Sequence, residues 1–363
     1  MRLCLSGVER MAATVEKPLF LADLDHVIEH ARQDFKKLAG SQIFITGGTG
    51  FFGKWLLSTF LHANRELHLN AAITALTRDP ARFQAECPHL ASDTALRLHA
   101  GDIRDFTFPN GQFTHVIHGA IAHSSNPAEA FDTSVAGMQR VLDFASISQV
   151  RRLLFLSSGA VYGPQPSAIT HIPETYLGAP DPLQANSGYG EGKRAAEYLC
   201  CSSKVDGLEP VIARCFAFAG PYLPLNANFA IGNFMADALA ERPISIQGDG
   251  TPFRSYLHAA DLSVWLWALL SRGRGRQAYN VGSDEDLTIA ALASLVAEIA
   301  GSKSGVYIAR IPQPGTAPSR YVPSIDKARS ELGLRVKIRL HDTIARTVSW
   351  LRAGARVQAH SIK

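Results

Sequence analysis

The chain has 363 residues, of which 46% are hydrophobic and 19% are charged. That composition excludes a disordered or collagen-like chain, and the length suggests two domains or one large α/β domain with additions. The formal net charge of +4 at pH 7 is too small to indicate a nucleic acid or a membrane as a partner. No apolar run approaches the roughly 20 residues of a membrane span. We expect a cytoplasmic protein, because the first residues lack the apolar core of a signal peptide.

The cysteines and histidines do not form a recognisable disulfide framework or metal motif. The five cysteines include no C-x-x-C pair, and we interpret them as reduced thiols in a reducing compartment. The 13 histidines show no H-E-x-x-H spacing, so no metal site is predicted.

The first half of the chain alternates between predicted helices and short apolar strands. An amphipathic helix is predicted over 23–38, because apolar residues recur there at helical spacing. The strands that follow are predicted at 42–46, 71–76, 96–100, 115–118, 152–157 and 210–213, and the helices at 54–61, 128–148 and 192–203. Apolar strands that alternate with helices are typical of a parallel sheet covered on both faces.

After Gly220 the alternation becomes less regular. Helices are predicted at 229–241, 261–270 and 287–300, and a short strand at 244–246. The predicted fold class is therefore α/β, with a doubly wound parallel sheet and a smaller, mixed C-terminal lobe. We divide the chain into an N-terminal extension (1–40), a sheet domain (41–221) and the C-terminal lobe (222–363), from which segments return to the sheet domain.

A glycine-rich turn, Gly47-Gly48-Thr49-Gly50-Phe51-Phe52-Gly53, connects the first strand to the helix after it. In this G-x-x-G-x-x-G spacing, the first glycine permits the tight exit from the strand and the second lets the backbone approach a pyrophosphate. The third lets the helix pack close to the sheet. The N-terminus of that helix offers unpaired N–H groups to the phosphates. The turn therefore predicts a bound dinucleotide, NAD or NADP.

The ends of the second and third strands contain residues suited to the adenosine half of that cofactor. Arg78 comes before Asp79, and an arginine at this place accepts a 2′-phosphate whereas an acid would bind the ribose 2′-hydroxyl. This order favours NADP slightly, with NAD retained if Asp79 turns inward. Asp102 is suited to accept from the adenine amine and Ile103 to cover the ring. The predicted cofactor contacts are Gly47, Thr49, Gly50, Phe51, Phe52, Gly53, Arg78, Asp102, Ile103, Gly119, Ala120, Ser157, Tyr189 and Lys193.

Tyr189 and Lys193 form a Y-x-x-x-K pair on one face of a predicted helix. A lysine cation one turn away favours the phenolate, which lets a tyrosine exchange protons near neutral pH. Ser158 follows the fifth strand, where the sites of parallel sheets are built. We predict that these three residues are catalytic, with Ser158 holding the substrate oxygen that Tyr189 protonates or deprotonates.

Seven segments carry a resemblance to a known family. They are GGTGFFG (47–53), GDI (101–103), HGA (118–120), LSSGAVYG (156–163), Tyr189 with Lys193, ARCFAFAGP (213–221) and GDGTPFRSYLHAADL (248–262). In this order they resemble the extended short-chain dehydrogenase/reductase family, in its NAD(P)-dependent nucleotide-sugar epimerase/dehydratase branch. The resemblance implies a Rossmann domain and a C-terminal lobe that binds a nucleoside-diphosphate sugar through Ser158, Asn228 and Arg254, with Arg254 on the pyrophosphate. It also implies a homodimer joined by the helices at 128–148 and 190–203.

The main departure from the family pattern follows Ser158. In sugar-nucleotide 4,6-dehydratases the next two positions include an acid, whereas here they are Gly159 and Ala160, which cannot transfer a proton. The resemblance therefore favours an epimerase or a 4-ketoreductase acting at C4 over a 4,6-dehydratase. A sugar-acid decarboxylase would need a group that binds the carboxylate, and none is identified. The alternatives are a reductase of a non-nucleotide ketone and a non-catalytic dinucleotide-binding relative.

Overall fold

The computed structural model describes residues 18–121, 126–227 and 229–360, with side chains described up to residue 353. The helices in these ranges are α1 (Leu21–Lys37), α2 (Phe51–Glu66), α3 (Pro80–Glu86), α4 (Pro88–Ala91), α5 (Pro127–Ile147), α6 (Gly188–Ser202), α7 (Ala230–Leu239), α8 (Ala259–Arg272), α9 (Ile289–Ala300), α10 (Asp326–Leu332) and α11 (Leu340–His360). The strands are β1 (Gln42–Thr46), β2 (Ala72–Thr77), β3 (Leu96–Ala100), β4 (His115–His118), β5 (Arg152–Ser158), β6 (Glu209–Cys215), β7 (Phe218–Ala219), β8 (Ile244–Ile246), β9 (Phe253–Ser255), β10 (Leu257–His258), β11 (Gln277–Val281), β12 (Asp286–Thr288), β13 (Val306–Ile308) and β14 (Arg320–Tyr321).

Seven parallel strands form the central sheet, in the order β11-β6-β5-β4-β1-β2-β3. The chain runs outward in one direction from β1 to β3 and in the other from β4 to β11. Between β1 and β4 the connections diverge, which opens a crevice at the carboxyl ends of the strands. This arrangement confirms the predicted doubly wound α/β fold.

The first strand shows how the sequence covers both faces of this sheet. Ile43 and Ile45 belong to the core beneath α1, α2 and α8, whereas Phe44 belongs to the opposite core beneath α5 and α6. Successive strand residues point to opposite faces, so an apolar run without alternation is what two covered faces require.

The seventh strand, β11, was not predicted from the sequence. It follows an arginine-rich turn and contains two polar residues, Gln277 and Asn280, which weaken its apolar pattern. Asn280 is nevertheless fully buried, because its side-chain amide donates to the carbonyls of Ile172 and Ser324 at 2.8 and 3.1 Å. Hydrogen bonds to distant parts of the chain therefore allow this polar residue to be buried within a strand.

The predicted N-terminal helix exists as α1 and packs against α8 and α2. Two buried carboxylates connect α1 to α8: Asp34 on α1 accepts from Arg272 at 2.9 Å, and Asp261 on α8 bonds His26 at 2.8 Å. His26 and His30 have H-x-x-x-H spacing, with ring centroids 4.5 Å apart. Among the described residues, no group of three or more His, Cys, Asp or Glu side chains is placed to hold a metal ion.

The C-terminal lobe is built from small sheets rather than from one continuous sheet. Strand β9 lies between β12 and β14, and β8 pairs with β13. Helices α7, α9 and α11 cover a separate apolar core under these strands. The small sheets of the lobe place β9 and β14 beside the end of β5.

Across the described ranges, no helix combines the length and apolar character that a bilayer crossing needs.

Candidate active site

The glycine turn between β1 and α2 has the close contacts that its spacing predicts. Gly47 has φ +73°, and a Cβ there would lie 2.6 Å from the carbonyl of Gly119. A Cβ on Gly53 would lie 2.3 Å from the Gly47 oxygen. At Gly50, by contrast, a Cβ would meet only that same oxygen at 3.6 Å, so the space in front of the turn is open. The turn thus fits a phosphate group held at the start of α2.

The other predicted cofactor contacts of this region surround the glycine turn. Thr46 ties the ends of β1 and β4 together, because its hydroxyl accepts from the N–H groups of Gly119 and Ala120 at 3.2 Å each. Thr49 follows in the turn and is half-buried. Phe51 contacts the cores of both lobes, and Phe52 packs edge-on against Phe218 at 4.9 Å. The two phenylalanines therefore join the turn to the C-terminal side of the crevice.

The ends of β2 and β3 carry a small charged cluster. Asp79 caps α3 by accepting from the Arg82 N–H at 2.9 Å, so its carboxylate is committed to that helix. Arg78 is exposed and acts on Asp102 electrostatically. Arg104, which the sequence analysis did not identify, donates three hydrogen bonds to the Asp102 carboxylate at 2.7, 3.0 and 3.2 Å.

These contacts constrain what Asp102 can do. Hydrogen bonds from Arg104 lower the pKa of Asp102, so the group is a carboxylate at neutral pH. A carboxylate has about four lone-pair positions, and Arg104 occupies three of them, which leaves one for a ligand. The neighbouring Ile103 is buried against Gly137 of α5.

Ser158, Tyr189 and Lys193 come together at the carboxyl end of β5. Ser158 is buried, and its hydroxyl accepts from the Ala160 N–H at 3.2 Å. Tyr189, on the first turn of α6, is 37% exposed, and its hydroxyl interacts with Ser158. Burial raises the pKa of Tyr189, and the Ser158 interaction opposes that rise.

Lys193 lies one turn further along α6 and is 1% exposed. Its Nζ donates to the Leu156 carbonyl at 2.9 Å and lies 4.7 Å from the centroid of the Phe155 ring. Burial lowers the pKa of Lys193 to about 8, and the Glu197 carboxylate opposes that decrease. The ammonium is therefore close to losing its proton under ordinary conditions.

Ser157, a predicted cofactor contact, has its hydroxyl engaged within the protein. The hydroxyl donates to a Glu197 carboxylate oxygen at 2.6 Å on the α6 side of the strand. Any contact between Ser157 and a cofactor is consequently left to its main chain.

A second phenol, which the sequence analysis missed, lies beside Ser158. Tyr321 on β14 interacts with the Ser158 hydroxyl, and its own hydroxyl lies 3.5 Å from the Cys215 carbonyl oxygen. Its ring packs against Phe216 with centroids 4.7 Å apart. A Cβ on Gly159 would lie 2.8 Å from the Tyr321 hydroxyl and 2.9 Å from Phe216. The two aromatic side chains thus fill the space that a side chain at position 159 would need.

Arg254 lies on β9 next to Tyr321, its register partner on β14. Its Nη1 donates to the Phe253 carbonyl at 2.7 Å, and burial lowers its pKa. Within the described part of the chain it forms no salt bridge. Asp249 accepts from Thr251, and Asp261 accepts from the backbone N–H groups of Lys337 and Ile338 and bonds His26. The third predicted substrate residue, Asn228, lies outside the described residues.

Comparison with known proteins agrees with this arrangement. The model of the NAD dependent epimerase/dehydratase family matches residues 43–282. UDP-glucuronic acid decarboxylase 1 of Arabidopsis thaliana is 29% identical over 318 residues, which are 86% of this chain and 70% of that protein.

Two solved structures share the fold. The dTDP-glucose 4,6-dehydratase DesIV of Streptomyces venezuelae, solved with NAD, superposes with a TM-score of 0.71 at 25% identity, over 86% of this chain and 97% of that one. The UDP-glucose 4-epimerase of Thermotoga maritima, solved with UDP-glucose, has a TM-score of 0.72 at 21% identity, over 86% and 99% of the two chains. With a family match across most of the chain and a turn that fits the cofactor, this protein belongs to the NAD-dependent epimerase/dehydratase family.

Proposed function

We propose that the protein moves hydride to or from C4 of a nucleoside-diphosphate sugar, as an epimerase or a 4-ketoreductase. The observation that carries the proposal is the meeting of Ser158, Tyr189 and Lys193 at the end of β5, with no acid at the two positions after Ser158. Tyr189 exchanges the proton of the reacting hydroxyl, and Ser158 holds that oxygen in place. A nicotinamide dinucleotide held at the glycine turn would serve as the hydride donor or acceptor.

The Lys193 ammonium is the group that allows Tyr189 to exchange a proton near neutral pH. Lys193 lies one helical turn from Tyr189, and a positive charge beside a phenol favours the phenolate. This effect requires a protonated Lys193. Because the pKa of Lys193 is about 8, the side chain loses its proton as the pH rises just above the physiological range. The proposed activity should therefore fall as the pH rises above about 8.

The surroundings of Gly159 support an epimerase or a reductase over a 4,6-dehydratase. Loss of water from a sugar needs a further proton-transferring group next to the reacting carbons. The space where such a group would follow Ser158 is occupied by the Tyr321 hydroxyl and the Phe216 ring, and neither of these is a carboxylic acid. The proposal therefore omits the loss of water that a 4,6-dehydratase carries out.

Arg254 supports a substrate that carries a pyrophosphate. A desolvated guanidinium without a salt-bridge partner in the described structure is a site for an anion, and a diphosphate accepts its paired N–H groups well. Binding at this distance from the reacting carbon fixes the sugar against the cofactor.

A sugar-acid decarboxylase is the second candidate function, favoured by the 29% identity to UDP-glucuronic acid decarboxylase 1. Such an enzyme needs the same oxidation at C4, after which a carboxylate at C5 is lost as carbon dioxide. Arg254 is the unpaired cation that a carboxylate would have to share with the diphosphate.

We also propose that the protein is a homodimer joined by α5 and α6. These helices pack against each other, and large side chains on them remain exposed, among them Phe131 (38%), Ile147 (70%) and Tyr198 (72%). An exposed apolar face of this kind is typical of a surface that a second copy covers.

Product analysis separates these functions. The purified protein is incubated with UDP-glucose, UDP-galactose, UDP-glucuronate or a 4-keto sugar nucleotide, and with NAD or NADPH, and the products are identified by nuclear magnetic resonance. An epimerase interconverts the first two sugars without net use of cofactor. A 4-ketoreductase consumes NADPH with a 4-keto sugar nucleotide, and a decarboxylase releases carbon dioxide from the glucuronate. Absence of all three reactions, together with reduction of a simple ketone, would replace the proposal by a non-nucleotide reductase.

Tyr189→Phe should reduce turnover to at most a few per cent of wild type and leave the cofactor bound, because only the phenolic proton exchange is lost. The measurements are kcat and the dissociation constant of NAD. Tyr307→Phe, at an exposed position of β13, is the matched control and should keep wild-type kcat. A folded Tyr189→Phe protein with most of its activity would remove Tyr189 from the mechanism.

Arg254→Ala should raise KM for the sugar nucleotide about ten- to a hundredfold, since a charged hydrogen-bonded pair is worth about 1.5–3 kcal/mol. Cofactor affinity and melting temperature should stay near wild type. Arg242→Ala, which breaks an exposed pair with Asp237, is the control. A variant that melts early but binds substrate normally would show that Arg254 is structural.

Arg78→Ala should weaken NADP about ten- to a hundredfold and leave NAD nearly unchanged, because only NADP carries the 2′-phosphate. Arg104→Ala tests whether the second arginine of this cluster adds to the same preference. Both dinucleotides are titrated against wild type and the two variants. If NAD binds the wild type better than NADP, Arg78 does not contact a phosphate.

Gly159→Ala should destabilise the fold by about 1–3 kcal/mol, because the new methyl group collides with Tyr321 and Phe216. Activity should fall as well, since those rings lie beside Ser158. Gly248→Ala, where nothing lies within 4 Å of the added atom, is the control. Melting temperatures of the two variants provide the comparison, and an unchanged value for Gly159→Ala contradicts the packing described here.

A further inference from the structure

Glu197 has no part in the chemistry described so far, although it shares a helix face with two residues that do. Tyr189, Lys193 and Glu197 follow one another at intervals of four residues on α6. Residues four apart lie above one another on a helix. Glu197 is 8% exposed, and an acid at that depth requires partners.

The partners of Glu197 come from two adjacent strands of the sheet. Its Oε1 accepts from the Ser157 hydroxyl at 2.6 Å, one residue before Ser158. Arg214 on β6 donates to both carboxylate oxygens, from Nε at 3.0 Å and from Nη2 at 2.6 Å. One carboxylate therefore fastens α6 to the ends of β5 and β6.

The network continues from Arg214 into the C-terminal lobe. Its Nη1 donates to the Tyr162 hydroxyl at 3.0 Å, and Tyr162 donates to Asn280 at 2.8 Å. The Asn280 amide then donates to the Ser324 carbonyl, three residues after Tyr321. The hydrogen bonds thus run from the helix that carries Tyr189 to the segment that carries the second phenol of the site.

Glu197 also acts electrostatically on Lys193, which lies one turn before it on α6. On β4, burial lowers the pKa of His118 to about 3, so this imidazole is neutral. On β6, burial raises the pKa of Cys215 to about 12, so this thiol is neutral as well. Strand β5 offers only the Leu156 carbonyl and the Phe155 ring. The Glu197 carboxylate is left to favour the ammonium.

We propose that Glu197 is a positioning residue that holds the β5 end carrying Ser158 against α6 and keeps Lys193 protonated during the reaction. This rests on the proposed function, because it assigns Glu197 a role in the same hydride-transfer site. Glu197 acts through Lys193 and Ser157 and touches neither substrate nor cofactor.

The test is the pH dependence of kcat in wild type and Glu197→Gln. The amide keeps an acceptor for Ser157 and removes the charge. Loss of an anion disfavours the charged form of Lys193, and the Arg214 cation left without its partner acts in the same direction. The decrease of kcat at alkaline pH should therefore begin about one pH unit lower in the variant. KM for the sugar nucleotide should stay within about twofold of wild type.

Glu209→Gln is the matched control. It breaks a 2.6 Å pair with Arg152 at the opposite end of the same strands, and its pH profile should superpose on that of wild type. An unmoved alkaline limb in folded Glu197→Gln would overturn the proposal, whatever the effect on melting temperature.

Removal of one partner from a buried pair leaves an unpaired charge and is strongly destabilising. The double variant Glu197→Gln/Arg214→Met removes both charges and provides a second, foldable case. In the double variant, the decrease of kcat at alkaline pH should also begin at a lower pH than in wild type. In Glu197→Asp, which keeps the charge, it should begin at the wild-type pH.

A titration of Lys193 itself separates this inference from the proposed function. Protein labelled with 13C at the lysine ε carbons is titrated by nuclear magnetic resonance with NAD bound, and the Lys193 signal is assigned by its loss in Lys193→Arg. The midpoint should be lower in Glu197→Gln than in wild type, and equal midpoints would overturn the inference. Wild-type protein that turns over no sugar nucleotide would overturn the proposed function, and this titration needs no substrate.

Discussion

The site depends on one buried charge, the ammonium group of Lys193. A lysine inside the interface between α6 and the sheet loses its hydration, and its pKa falls to about 8. The fold opposes this with a carbonyl oxygen at 2.9 Å and the face of an aromatic ring. Both come from β5, the strand that ends at Ser158. The strand that presents the hydroxyl of the site therefore also stabilises the charge that the site requires.

This dependence explains why the elements around α6 are joined so firmly. Helix α6 approaches the sheet closely, and Gly192 on it leaves no room for a side chain against α5, since a Cβ there would lie 2.8 Å from Phe131. The helix is then held by side-chain hydrogen bonds to β5 and β6. A displacement of α6 would change the contacts of Tyr189 with Ser158 and of Lys193 with β5. The packing and the chemistry thus constrain the same few residues.

Local patterns in the sequence were enough to predict most of the sheet and the nucleotide turn. Strands β1 to β6 are apolar runs with clear ends, and the spacings of Gly47 to Gly53 and of Tyr189 to Lys193 are short-range signals. Strand β11 was missed because Asn280 is polar, and only distant carbonyls make its burial possible. Arg104 was missed because a surface arginine two residues after an acid has no distinctive pattern. Tyr321 was missed because β14 is two residues long and nothing local relates it to Ser158.

Tyr321 also shows how one redox fold separates different activities. The similar proteins named above are a decarboxylase, a dehydratase and an epimerase, and the oxidation of a sugar carbon is compatible with all three. What distinguishes them must act after that oxidation, on the carbons beside the keto group. In this chain the position next to Ser158 has no side chain, and its space is taken by Tyr321 from the C-terminal lobe and Phe216 from the sheet domain. If the proposed hydride transfer takes place at this site, the side chains available to any later proton transfer include those that the C-terminal lobe brings to Ser158. Tyr321 is one of them, and it carries a hydroxyl group.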